Sequence, residues 1–327
     1  MLSPYEFVLA QYEYARLRSQ SEVEGFQKLF GVYEDLELYK AQKGTDWQEE
    51  LFGKPPTSTQ HNISISGGTD KTKMNLSFTN NKDEGLMTGS SYERNYLSFK
   101  LNHEVSKALK LDVGARYSKA TTLGAGTAGG SSVRVSDAVT TRPVNGLADQ
   151  IVPDEISNDQ DDYEQFLKSL VSPPKLTEQD YRRRVNHTLN LSAALTWNIM
   201  KGLSFRSDFN IDRVQEEVRR YYGPLTGESR NVGGNLPLGE ISDLSRNGYR
   251  WSNTLTYNFK AWKDHNFTVM AGHEMMDAGG TTKFMRAKYF AASLSPDKLF
   301  SNMALGTIDR MSTNDLMGSS LMSFLAG

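Results

Sequence analysis

The sequence predicts an all-β fold. It reads as an antiparallel meander of about eight strands of a transmembrane β-barrel, with a helical N-terminal part and long outer loops. Three observations predict it. Residues 61–118 alternate apolar and polar side chains with period two: Ile63, Ile65; Met74, Leu76, Phe78; Leu97, Phe99, Leu101; Leu109, Leu111, Val113, Ala115, Tyr117. Successive strand side chains point to opposite faces, so this pattern gives a sheet with one apolar and one polar face. The connections then alternate strictly. Those near Gly67, Glu104, Met200 and Lys263 are short, and those after Thr79, Thr122, Gly223 and Tyr289 are longer. All short turns thus lie at one end and all long loops at the other, as in outer-membrane barrels. Finally, Ser, Thr and Asn dominate the polar face, which suits a wet lumen better than the Lys- and Glu-rich surface of a soluble sandwich.

Composition sets the outer bounds. The chain has 327 residues, a formal net charge of −2 and 38% hydrophobic residues, with a mean hydropathy of −0.55. That charge supplies no basic field for nucleic acid. No run of about 18 apolar residues occurs, so no transmembrane helix is expected; a barrel strand, half apolar, escapes that test. The absence of cysteine excludes disulfides and thiolate metal sites. The N-terminus, MLSPYEFVLAQYEYARLR, lacks a cationic stretch followed by an apolar core, so it is not read as a secretory signal.

In chain order, Ser3 can cap a helix over 3–19, with Pro4 in its first turn. A second helical piece covers Ser21 to Tyr39, interrupted near Gly31, and Thr45 to Pro56 reads as a loop. After the meander, with its expected tight turn at Gly67-Gly68, residues 122–181 read as one long loop with short helices. Alternation returns at Val185, His187, Leu189, Leu191, Ala193, Leu195 and Trp197, then at Leu203, Phe205, Ser207, Phe209 and Ile211, stopping at Arg213. Residues 223–247 read as a Gly/Pro-rich loop. Trp251, Asn253, Leu255, Tyr257 and Phe259 follow, then Phe267, Val269 and Ala271, and from Ala291 the pattern is lost. Aromatic residues near strand ends (Tyr117, Trp197, Tyr221, Tyr222, Trp251, Phe259, Trp262) suggest interfacial girdles.

Motifs with chemical meaning are sparse. Gly124-Ala-Gly126-Thr-Ala-Gly129 matches a dinucleotide fingerprint but lacks the parallel strand–helix–strand context, so it reads as a flexible loop. His273-Glu274 is followed four residues after the histidine by Asp277, which fails the zinc-helix spacing. Asp159, Asp161 and Asp162 resemble a calcium loop without the turning glycine, leaving a solvated acidic loop with weak calcium binding as the alternative. Arg182-Arg183-Arg184 reads as a solvated or lipopolysaccharide-facing edge. No catalytic constellation is found, and no enzyme is expected.

The segments TDWQEELF, HNISISGG with KTKMNLSF, Glu84-Gly85 and YERNYLSFKLN resemble SusC/RagA-type TonB-dependent outer-membrane transporters. LSPYEFVLAQYEY is similar to that family's helical insert, and SSLMSFLAG to the lead-in to a further strand. The resemblance implies a stretch of a 22-stranded barrel, without plug, TonB-contacting region or closing strand, unable to transport alone. It implies a helical extracellular insert at 1–56, a partial barrel at 57–290 with long loops 122–181 and 223–247, and an outer loop at 291–327. It also implies a SusD-like surface lipoprotein partner, TonB reached through a missing N-terminal region, outer-membrane lipid, and an oligosaccharide or peptide substrate. Substrate would then meet lumen-facing groups such as Arg206, Asp208, Asn210 and Asp212, whose other roles are lumen filler or plug contact. The alternative is a soluble β-rich carbohydrate-binding or adhesion module, in which the apolar face packs under a second layer.

Overall fold

The computed structural model describes residues 2–124, 139, 141–144, 146, 172–261 and 265–326. Within these residues nine strands form one sheet in the order β1 to β9, so every neighbour in space is a neighbour in sequence. They are β1 (Ser58–Gly68), β2 (Thr72–Glu84), β3 (Ser91–Ser106), β4 (Leu109–Leu123), β5 (Asp180–Met200), β6 (Leu203–Tyr222), β7 (Leu238–Ala261), β8 (His265–Lys288) and β9 (Thr307–Ala326). All eight pairings are antiparallel. The sheet is an open meander, and β1 and β9 are its edges.

The alternation in the sequence is the cross-section of this wall. Register places Ile65, Leu76, Phe99, Ala115, Leu191, Ile211 and Tyr249 side by side in one row. These side chains lie on one face, and its large members are exposed: Ile63 by 66%, Trp197 by 47% and Phe209 by 41%. No second layer of the described residues covers them. Apolar area left in water forgoes roughly 25 cal/mol per Å2, so a face of this extent is matched to lipid. The soluble-module alternative needs a second layer over this face, and the described residues supply none. Val185 departs from the pattern and is buried. At the lower edge, Tyr257, Phe259 and Phe267 stack with centroids 5.1 and 5.5 Å apart, forming an aromatic girdle beside the β5–β6 turn.

Strand connections sort by end as the sequence predicts. Residues 69–71, 107–108 and 201–202 make tight turns at one end. Gly202 adopts φ 86°, and a Cβ there would lie 2.2 Å from the Asn258 carbonyl oxygen, so only glycine fits this turn. The first turn is shorter than the expected one, Gly67-Gly68 with the polar run after it. Gly67 and Gly68 finish β1, and the Thr69 amide donates to the Thr72 carbonyl at 2.7 Å. The β7–β8 turn, 262–264 with Trp262, lies outside the described residues.

Four boundaries differ from the sequence reading. The loop expected at 223–247 occupies only 223–237 and contains a short helix, because β7 begins at Leu238; β6 runs on past Arg213, where its apolar alternation stops, to Tyr222. Charged residues on both faces there hide the period-two signal. Residues 307–326, expected as loop, form β9, a ninth strand whose faces are both largely polar near its start. Residues 47–52, also expected as loop, form a helix capped by Asp46, whose carboxylate accepts from the Gln48 and Glu49 amides. Tyr221 and Tyr222 are buried, 5% and 7% exposed, and so belong to no girdle. The central part of the loop expected at 122–181 lies outside the described residues.

Helices gather at the long-loop end: α1 (Pro4–Arg18), α2 (Gln20–Phe30), α3 (Trp47–Phe52), α4 (Pro173–Gln179), α5 (Gly227–Gly233) and α6 (Pro296–Ser301), with a 3-10 helix at Tyr33–Ala41. α1, α2 and the 3-10 helix enclose Val8, Phe26, Phe30, Leu36 and Tyr39. Val144 joins that core, while the Trp47 indole donates to the Arg142 carbonyl at 2.9 Å.

Ala193→Lys, on the lipid face near mid-band, should cost about 2–4 kcal/mol in a urea folding titration of the intact protein in vesicles, and its inward neighbour Ser192→Lys much less. Ser3 and Glu6 form a capping box, the Ser3 amide donating to the Glu6 carboxylate at 2.8 Å. Ser3→Ala should weaken α1 by about 1 kcal/mol, read by amide exchange along the helix. The Ser3 amide and hydroxyl also hold the Glu6 carboxyl below its usual range. Its support of α1 is therefore full at neutral pH and should be lost as pH falls through that lowered value.

Candidate functional site

The face opposite the lipid band carries the even-numbered residues of β4 to β8. Register sets Lys110, Thr196, Arg206 and Thr254 in one row, and Asp112, Ala194, Asp208, Ser252 and Glu274 in the next. Above them come Gly114, Ser192, Asn210, Arg250 and Met276, then Arg116, Asn190, Asp212 and Gly248. All four residues singled out from the sequence, Arg206, Asp208, Asn210 and Asp212, therefore share this inward face, but they divide into two groups.

Arg206 and Asp208 are occupied with each other. The Arg206 Nε and Nη2 donate to the two Asp208 oxygens at 2.9 and 2.7 Å, and Nη1 donates to Thr196 Oγ1 at 3.1 Å. Asp112 stands 3.7 Å away and accepts from Asn102. Such a bidentate, side-supported pair fixes both side chains in place. It lies three rungs from the β5–β6 turn, at the short-turn end.

Asn210 and Asp212 instead line a cleft of about 460 Å3 with Arg116, Asn190, Arg246 and Arg250. Asp212 accepts a hydrogen bond from Asn190. Arg250 faces Glu274 at 3.9 Å. Arg116 and Arg246 are exposed, and among the described residues neither has a carboxylate partner. The cleft thus offers guanidinium donors, an amide and a carboxylate within one concave surface. That set hydrogen-bonds polar solutes and pairs with carboxylates. Arg116, Arg246 and Arg250 did not emerge from the sequence reading, although their even numbering on alternating strands placed them on this face.

A second inward group, nearer the long loops, was also missed. Asp180 is 1% exposed and takes the Arg220 guanidinium at 3.1 and 3.3 Å. The Arg220 guanidinium carbon sits 4.4 Å from the Tyr222 ring centroid, and the Tyr222 hydroxyl donates to Glu240 at 3.5 Å. Arg286 joins Glu240 at 3.7 Å, Glu228 of α5 at 3.4 Å and Asp309 of β9 at 2.7 Å, while Lys288 adds a contact to Asp309 at 2.8 Å. This chain of charges ties five strands and the 223–237 loop together at the rim. Asp159, Asp161, Asp162, Gly126 and Gly129 lie outside the described residues.

Breaking a buried pair strands a charge. Asp180→Asn should therefore destabilise the outer ends of β5 and β6 by about 3–5 kcal/mol, seen as faster amide exchange there and unchanged exchange at 203–211.

No family model matches the chain. TonB-dependent receptor P3 of Formosa agariphila is 22% identical over 288 residues, covering 85% of this chain and 27% of the relative. The RagAB peptide importer in its closed-closed state superposes with a TM-score of 0.68 at 16% identity, over 100% of this chain and 37% of that one. The open-open state gives 0.63 at 17% identity, over 98% and 34%. The chain spans roughly a third of the receptor and the importer named here. It resembles the SusC/RagA-type TonB-dependent transporters along nearly its whole length, and its sheet is a run of staves from an outer-membrane β-barrel.

Proposed function

We propose that this chain is wall of a TonB-dependent transporter that imports a polar nutrient, an oligosaccharide or a peptide, across the outer membrane. The observation that carries the reading is the contrast between the two faces. One presents bare Ile, Leu, Phe and Trp side chains to lipid. The other presents Arg116, Asn210, Asp212, Arg246 and Arg250 around an open cleft. The likeness to a peptide transporter in fold supports the same reading.

In this reading Asn210 and Asp212, with the three arginines, meet the solute. Arg206 and Asp208, already paired at the short-turn end, serve to stiffen the wall where a plug would rest. A peptide fits the cleft better than a neutral sugar. The guanidinium groups of Arg116 and Arg246, without a carboxylate partner among the described residues, suit the carboxylates of peptides, for which bidentate pairing supplies both energy and orientation. A SusD-like lipoprotein would cover the long-loop end, and TonB would supply the energy through a region of the protein other than these strands.

The test is uptake of labelled acidic peptides and of an uncharged oligosaccharide by cells carrying the intact protein. Arg116→Gln together with Arg246→Gln should reduce acidic-peptide uptake about tenfold, the worth of one lost charged pair near 1.4 kcal/mol. Arg206→Gln should leave solute selectivity as it was. Uptake unaffected by the double substitution, or persisting without TonB, would overturn the proposal.

A further inference from the structure

The outward face changes character above the lipid band. Over Tyr117, Leu189 and Tyr249 the same odd-numbered positions turn polar. One row brings Lys119 beside His187, and the next brings Glu217 beside Asp243 and Asp243 beside Lys283. In the row above, Arg183 faces Arg219. Higher still, α6 folds back over this outer surface. Its Leu299 and Phe300 pack on Tyr181, Tyr221, Ile241 and Met285, all odd-numbered, and the Arg219 guanidinium carbon lies 5.9 Å from the Phe300 ring centroid. Between the α6 overhang and the lipid band lies a cleft of about 550 Å3.

The charges in this cleft do not cancel. Glu217 is held by Arg219 at 2.8 Å, and Glu216 is engaged by Arg184 at 3.6 Å. Lys119, Arg183 and Lys283 remain, facing one exposed carboxylate, Asp243. None of the three is in a close salt bridge among the described residues, and only Lys283 stands beside a carboxylate, that of Asp243 across the β7–β8 pairing. Below them the His187 ring bonds the Tyr117 hydroxyl at 2.7 Å, which marks the upper limit of the apolar band. Cations at that height, over an apolar wall and under a protein overhang, sit at the depth of a lipid headgroup and in a weakly screened place.

We propose that this cleft holds the phosphate-bearing headgroup of an outer-leaflet lipid. Arg183 pairs with the phosphate through its planar fork, while Lys119 and Lys283 act as point charges on either side. The acyl chains run down the apolar wall over Leu189, Leu191 and Ile211. The inference rests on the outward orientation of the odd-numbered face and is independent of the import reading.

The test is a binding titration of the intact protein in detergent micelles with phosphatidic acid, with diacylglycerol of the same chains, and with inorganic phosphate. Phosphatidic acid should bind about tenfold more tightly than diacylglycerol. Lys119→Gln, Arg183→Gln and Lys283→Gln combined should abolish that difference, and Lys71→Gln at the opposite end should leave it intact. Should the triple variant fail to fold, Lys283→Gln, which alters one exposed side chain, should weaken phosphatidic acid binding about threefold, and Lys283→Arg should retain it. Equal binding of the two lipids, or variants that bind as the parent does, would overturn the proposal. So would displacement of phosphatidic acid by inorganic phosphate at the same concentration, which would mark a simple anion site.

Discussion

Everything in this chain depends on pairing parity. Lipid supplies no hydrogen-bond partner, so each backbone amide and carbonyl crossing it must be met by a neighbouring strand. That requirement fixes the strands side by side, and the period of two then fixes which side chain meets lipid and which meets water. From β4 to β8 the register runs without a slip between the two ends of each strand, apart from the bulge beside the β5–β6 turn. A one-residue shift in any of these pairings would send Leu191, Ile211 and Tyr249 inward and Asn190, Asp212 and Arg250 into lipid. The two sites, one facing in and one facing out, are consequences of a single register.

The same constraint explains what could be read from residues alone. Where one face must be apolar, the pattern is loud. Residues 61–118, 185–197 and 203–211 were legible as strands, and Arg206, Asp208, Asn210 and Asp212 were legible as sharing a face. Above the lipid, neither face must be apolar. There β6 continues through Gln215-Glu216-Glu217, beyond the end of its apolar alternation, and β7 through Ile241-Ser242-Asp243, where the sequence reads as loop. The β9 strand was hidden for the same reason. Long strands that outlast the bilayer are therefore truncated by any reading that relies on hydrophobic alternation.

Which inward residues act together was not legible, because it depends on rungs rather than faces. Arg206 and Asp208 are two residues apart on one strand and satisfy each other. Asp212 is four further on and opens instead onto Arg116 and Arg246, each from a different strand. Parity could nominate all of these side chains, but only the register between strands separates a self-contained pair from a cleft. The buried Asp180–Arg220 pair is a sharper case. Nothing in the local sequence marks Asp180 as buried, since its concealment comes from Arg220 and from the rim that the Arg286 cluster assembles around it.

The neighbour-to-neighbour strand order also bears on how the sheet is made. Every pairing joins consecutive strands, so each new strand needs only the free edge left by the last. Three of the connections described here close over two or three residues, which makes hairpins the natural first contacts. The widest gap lies between Leu123 and Asp180. Closing a longer segment costs only about 0.6 kcal/mol for each doubling of length, so the penalty there is modest in stability. It falls instead on timing. The β1–β4 and β5–β9 halves can zip separately, and their joining along β4 and β5 becomes the slow step in building this wall.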